Sequence, residues 1–259
     1  MLIMEKKNLP KVRIIPKLEI KNKNLIKGVQ FEGLRIVGDP ILYAKKYYQD
    51  SADQINIIDI VASLYSRDNI YDIINKITDD IFIPVNVGGG IKNINDIKQL
   101  LNVGADRVII NSEALRNPLF LQEIKNIFGD QFISISIEAK KFENKYYCTM
   151  DHGRENSGKE VANWIKQLNE IEVGEIILNS IDNDGMQNGF DANLLKEVFS
   201  IAKCPVVISG GAWSLDDFSS ILEQFNLDGL CSSTALHFKM LTIKDIKDHL
   251  KKNNFSINN

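Results

Sequence analysis

The stretch Ile83-Pro84-Val85-Asn86-Val87-Gly88-Gly89-Gly90 returns as Cys204-Pro205-Val206-Val207-Ile208-Ser209-Gly210-Gly211, with Pro205 lying 121 residues after Pro84. Each copy is a proline-led, β-branched run that ends on glycines, the mark of a buried strand entering a tight turn. The same spacing sets Ser112, Ala114 and Leu115 on Ser233, Ala235 and Leu236, and a spacing of 119 sets Leu18-Glu19 on Ile137-Glu138. A chain that repeats at half its length is built from two similar halves.

Outward from these two runs, the pattern is strand then helix throughout. Strand-like segments are Val12 to Ile20, Ile55 to Ile60, Ile81 to Val87, Arg107 to Ile110, Phe132 to Glu138, Glu175 to Asn179, Pro205 to Ser209 and Gly229 to Ser232. Between them, apolar residues recur at helical spacing, as in Ile94, Ile97, Leu100 and Leu101 or Val161, Trp164, Ile165 and Leu168. Nearly continuous apolar strands suit a parallel sheet covered on both faces. Eight βα units in two halves predict an α/β fold, a single (β/α)8 TIM barrel with a two-fold half-barrel repeat. An open doubly wound sheet is disfavoured, because no G-x-G-x-x-G follows the first strand. The barrel is expected over residues 12–252, with an N-terminal extension at 1–11 and a C-terminal tail at 253–259; the Asn-rich end from Lys251 to Asn259 reads as frayed.

With 259 residues, 44% of them hydrophobic, the chain can bury one large core. A net charge of −3, with acids and bases interspersed, argues against nucleic-acid binding. Neither a signal core nor an apolar run long enough to span a membrane is present. Cys148, Cys204 and Cys231 form no CxxC pair, and His152, His237 and His249 do not cluster with acids or cysteines. A cytoplasmic protein without a structural disulfide, metal or cofactor is expected.

In such a barrel the strand ends carry the chemistry. Glycines after a buried strand let backbone amides approach an anion. Gly89-Gly90 with Asn111-Ser112, and Gly210-Gly211 with Ser233-Thr234, therefore predict two phosphate cradles on opposite rims; Asp184 and Gly185 are placed with the second. A lone Gly-Gly would serve a tight turn as well, but the hydroxyl-bearing partner one unit later occurs twice. Glu19 and Glu138 end the first and fifth strands, so both point into the mouth between the cradles as a general acid/base pair. Asp59, Asn179, Asp182 and Asp184 are candidates for substrate hydroxyls, each with a competing role as a turn former. The segment Lys21 to Gly38 reads as a long loop, a lid from which Lys27 reaches a phosphate.

Arg13-Ile14-Ile15-Pro16, Lys27-Gly28, Asp59-Ile60-Val61-Ala62-Ser63, Val87-Gly88-Gly89-Gly90-Ile91, Gly174-Glu175-Ile176-Ile177-Leu178 and Ser209-Gly210-Gly211-Ala212 together resemble the HisF family, the cyclase subunits of imidazole glycerol phosphate synthase, from Val12 to about Lys252. The resemblance implies that ammonia from a glutaminase (HisH-like) partner adds to the bis-phosphorylated ribonucleotide PRFAR, giving imidazole glycerol phosphate and AICAR in histidine biosynthesis. It makes Glu138 the proton acceptor and Glu19 the donor. It places Arg13, Gln54, Arg107 and Glu175 at an ammonia gate at the bottom of the barrel, and Asp106 on the glutaminase-docking side.

Departures from the family accompany the matches. Glu19 and Glu138 stand where the family has aspartates, and one extra methylene advances a carboxylate by more than about 1 Å. Lys17 replaces a Cys, Gln54 a gate Glu and Trp213 a Gly beside the second cradle. These changes favour an alternative, a HisF-like paralogue that supplies ammonia with a glutaminase for amidino-sugar formation in surface-polysaccharide biosynthesis. A second alternative, a non-catalytic glutaminase-activating subunit, has no need of two phosphate cradles.

Overall fold

A computed structural model describes residues 11–61 and 68–258. The extension expected at 1–11 falls outside these residues except for Lys11, as do Ala62 and Ser63 of the Asp59–Ser63 motif. From the N-terminus the chain forms β1 (Arg13–Lys21), β2 (Asn24–Val29), β3 (Glu32–Gly38), α1 (Pro40–Gln49), β4 (Ile55–Asp59), α2 (Asp68–Thr78), β5 (Val85–Gly88), α3 (Ile94–Asn102), β6 (Arg107–Ile110), α4 (Ser112–Arg116) and α5 (Leu119–Phe128). The second half repeats that order: β7 (Ile133–Phe142), β8 (Lys145–Met150), β9 (Glu155–Glu160), α6 (Val161–Ile171), β10 (Glu175–Ser180), α7 (Ala192–Phe199), β11 (Val206–Ser209), α8 (Leu215–Gln224), β12 (Gly229–Ser232), α9 (Thr234–His237) and α10 (Ile243–Lys252).

Strands β1, β4, β5, β6, β7, β10, β11 and β12 pair in parallel in that order, and β12 returns to β1 to close the barrel. Inside it, Ile15, Ile109, Ile177, Val207 and Cys231 pack as one apolar layer with Ile58 against them. The main core lies between strands and helices and includes Trp164, Tyr47 and Phe218. No helix among the described residues is long and apolar enough to cross a membrane.

The internal repeat extends to individual hydrogen bonds. Asp53, Asp106 and Asp228 each turn a carboxylate back to an amide at the start of a barrel strand, Ile14, Val85 and Val206, at 2.7, 2.8 and 2.9 Å. Asp106 thus has a local structural task at the bottom rim. At the start of α3, Asp96 accepts from Lys92 N at 2.8 Å, and at the start of α8, Asp217 accepts from Trp213 N at 2.8 Å. Each carboxylate ties the chain ahead of the helix to the helix's first turn, the backward half of a capping box.

Two expectations are corrected. Lys21 to Gly38 is no loop: β1 runs on to Lys21, and β2 and β3 form an antiparallel hairpin on it. Leu25, Ile26, Lys27 and Gly28 are all buried, so the alternation that marks a half-exposed strand is absent. The counterpart hairpin β8–β9 follows β7 in the second half. Nor are residues 251–258 frayed. Val12 N donates to Ser256 O at 2.9 Å, and buried Ile257 bridges Val12, because one apolar residue beyond the Asn-rich turn finds a covered site at the strand edge.

Candidate active site

Strand geometry decides which side chains meet. Lys17 and Glu19 lie two residues apart on β1, so both face the barrel interior. Lys27 comes in from β2 and Asp184 from the turn after β10. The result is a buried cluster of four charges: Lys17 Nζ is 2.9 Å from Glu19 and 3.9 Å from Asp184, while Lys27 Nζ is 3.2 Å from Glu19 and 2.5 Å from Asp184. Burial alone would favour the neutral acid at Glu19, but Lys17 and Lys27 outweigh it and hold the carboxyl well below the usual range. Burial likewise opposes the Lys17 ammonium, yet Glu19 and Asp184 hold its pKa above the ordinary lysine value. Lys27 is therefore no solvated lid residue, and the Asp184 carboxylate, which lines the second cradle, also pairs with both lysines.

Glu138 has the equivalent place on β7 and a different environment. Burial pushes its pKa up to about 7, against the pull of Lys17 and of the Gly153 amide that donates to Oε2 at 3.1 Å. An anion and a near-neutral acid thus face the same mouth, a separation that sorts paired carboxyls into different roles.

The mouth is lined by Lys17, Glu19, Glu138, Asp59 and Asn179 together with Gly89, Gly90, Asn111 and Ser112 of the first cradle. The second cradle gathers Asp184, Gly185, Gly210, Gly211, Ser233 and Thr234 around a smaller pocket. Gly89 and Gly211 have φ of +106° and +103°, and a Cβ on either would lie 2.0 Å from the carbonyl oxygen of Asp59 or Gly189. Only glycine fits there. The two serines are not equivalent: Ser112 Oγ accepts from Asp151 N at 2.9 Å and keeps its proton to donate, whereas Ser233 Oγ donates to Lys17 O at 2.8 Å. Asp182 holds the turn, accepting from Lys141 N at 2.7 Å. Trp213 does not line the second cradle.

The chain matches the family described as "Histidine biosynthesis protein" over residues 13–242. Proteins named imidazole glycerol phosphate synthase subunit HisF are similar over most of the length. That of Natranaerobius thermophilus is 37% identical, covering 93% of this chain and 96% of the relative. That of Campylobacter concisus is 40% identical, covering 95% and 97%. That of Legionella pneumophila is 46% identical, covering 80% and 99%. The chain belongs to the HisF family.

At the opposite, N-terminal end of this HisF-family barrel, Arg13 forms an ion pair with buried Glu175 and donates to Gln54 Oε1 at 2.7 Å. Gln54 in turn donates to Asn56 at 2.7 Å, and Ser134 donates to Glu175 at 3.3 Å. Arg107 lines the same lower opening as Arg13 and Glu175. Above them Asn86 is wholly buried, and neither its amide nitrogen nor its oxygen has a partner. Sequence reading missed Asn86, His152 and Arg116 as site residues. For Asn86 the signal was available: a polar residue inside an otherwise apolar strand, aligned with Asn56 on the neighbouring one. Among the described residues no group of His, Cys, Asp and Glu could hold a metal ion.

Proposed function

We propose that this chain is the cyclase subunit of imidazole glycerol phosphate synthase, which uses ammonia from a glutaminase partner to convert PRFAR to imidazole glycerol phosphate and AICAR. The observation that carries the reading is the mouth itself: two glycine-lined cradles flank two inward-facing carboxyls of opposite protonation preference. A substrate with a phosphate at each end would span the cradles and bring its reactive middle to Glu19 and Glu138. Glu138, with a pKa near neutrality, is suited to take and return protons. Glu19, held ionised, has no proton to give; its fixed negative charge suits stabilisation of cationic character on the substrate. This departs from the donor role that family resemblance alone would assign it.

Ammonia would enter from below, past Arg13, Gln54, Arg107 and Glu175, where the unpartnered amide of Asn86 offers a hydrogen-bonding step toward the mouth. The test is steady-state turnover of PRFAR by the purified chain at saturating ammonium. Clear turnover supports the reading; none under any ammonia supply, including a glutaminase partner, rejects it.

The cluster at Glu19 favours one other reading. Lys17 ties up a carboxylate that the histidine pathway would use, which suits a paralogue delivering ammonia for amidino-sugar formation. That reading expects glutamine-dependent activity only with both the glutaminase and a sugar-handling protein present.

A further inference from the structure

His152 lies on the turn joining β8 to β9, and nothing in the acid/base pair or the two cradles uses it. Asp151, His152 and Gly153 have φ of +51°, +60° and +78°, a left-handed run that only the glycine adopts without strain. The surrounding structure imposes it: Asp151 N donates to Ser112, Arg116 pairs with the Asp151 carboxylate at 2.5 Å, and Gly153 N donates to Glu138. The conformation lays the imidazole flat on Phe31, with centroids 4.3 Å apart and planes 9° apart. Phe31 itself sits at the tip of the β2–β3 hairpin with φ of +66°. Hairpin tips from the two halves therefore meet face to face at the mouth, and Lys17 Nζ lies 5.5 Å from the Phe31 ring centre.

With the ring held, His152 Nε2 is buried and has no hydrogen-bond partner. Two further buried atoms without partners, Asn111 Oδ1 and Asn179 Oδ1, belong to residues lining the same cavity. A buried polar atom left unpaired costs about 1–3 kcal/mol, so three on residues around one cavity point to a ligand there as the missing partner. Burial, with the Lys17 and Lys27 charges and despite Glu19, lowers the imidazole's pKa to about 4. The ring is therefore neutral at neutral pH, able to donate or accept at Nε2 but not to serve as a phosphate-binding cation.

We propose that His152 is a substrate-contacting residue whose Nε2 hydrogen-bonds an uncharged hydroxyl, carbonyl or amino group in the middle of the substrate, between the two phosphates. The inference rests on the proposed bis-phosphorylated substrate. His152 thereby distinguishes a polar linker from a plain bis-anion, which the cradles alone would hold.

The test compares His152→Asn with His152→Gln. Asn tolerates the left-handed backbone but is too short to place an amide at Nε2; Gln carries its amide nitrogen to about that distance. Calorimetric Kd for PRFAR is expected to weaken about tenfold in His152→Asn and to recover most of that in His152→Gln, with the Kd of inorganic phosphate unchanged in both. Unchanged PRFAR affinity in His152→Asn overturns the proposal. So does an equal loss in both variants, which would assign the effect to the aromatic stack. Turnover by the parent chain is measured separately: binding of PRFAR without turnover removes the cyclase reading and leaves the His152 comparison standing, whereas no PRFAR binding by the parent removes both.

Discussion

Glu19 and Glu138 occupy the same position in the two halves of one barrel, each near the point where the first strand leaves its barrel neighbour and continues into a β-hairpin. Their surroundings are opposite. In the first half the hairpin brings Lys27 under Glu19, and Lys17 stands two residues away; in the second the hairpin offers Glu138 only the neutral amide of Gly153. One carboxyl is held as an anion and the other is raised to about 7. Duplication supplies a pair of acids; the residues that diverge around them decide which one exchanges protons.

The largest effects come from removing the charges themselves. Glu19→Gln and Glu138→Gln should each lower ammonium-dependent turnover by about 10²–10⁴-fold, yet their stabilities should move in opposite directions. Glu19→Gln leaves two buried lysines with only Asp184, a loss of about 3–5 kcal/mol in urea melts at pH 7. Glu138 is more easily protonated in the folded chain than in the unfolded one, so its contribution is fully present below its unfolded pKa of 4.5 and is lost as pH rises through about 7. Glu138→Gln should therefore gain about 3 kcal/mol over the parent at pH 8 and nothing at pH 4. Equal pH dependence of the two variants would break the contrast.

Lys17→Met tests whether one side chain maintains the asymmetry. Lys17 lowers the pKa of Glu138 as well as that of Glu19. Its loss should move the acidic limb of kcat/KM to higher pH and, for one unit of displacement from about 7, reduce kcat/KM at pH 7 by about fivefold. A limb that stays in place means that Glu138 is not the titrating base.

Gly153→Ala probes the other side. With φ at +78° and a Cβ 3.1 Å from both Phe31 and Ile181, alanine should cost about 1–2 kcal/mol in thermal melts. Displacing the Gly153 amide should also raise the Glu138 pKa, readable in the same pH profile. The smallest effect is expected at Trp213, whose counterpart in the first half is Lys92. Lys92 lines the mouth while Trp213 stays outside the second cradle, so Trp213→Gly should leave the KM for PRFAR within about twofold.

The barrel and the glycine turns that end its strands were legible because their signals are local. Proline-led runs, terminal glycines and the 121-residue repeat need no knowledge of distant contacts. The hairpins were not legible for the same reason in reverse: β2 hides a lysine and a glycine among buried residues, and only its pairing with β1 makes it a strand. Lys17 stood out as an unusual residue, but its cluster depends on Asp184, far along the chain. His152 carried no sequence signal, since neither Phe31 nor the cavity around Nε2 is near it in sequence.

Read alone, the chain specifies eight strands, their two-fold arrangement and the side chains that end them, because strand periodicity and turn chemistry are properties of neighbouring residues. Only the closed barrel decides that Glu19 is an anion, Glu138 a near-neutral acid and His152 an unpaired neutral ring. A protonation state is set by burial and by charges a few ångströms away through space, and those neighbours come from every part of the sequence.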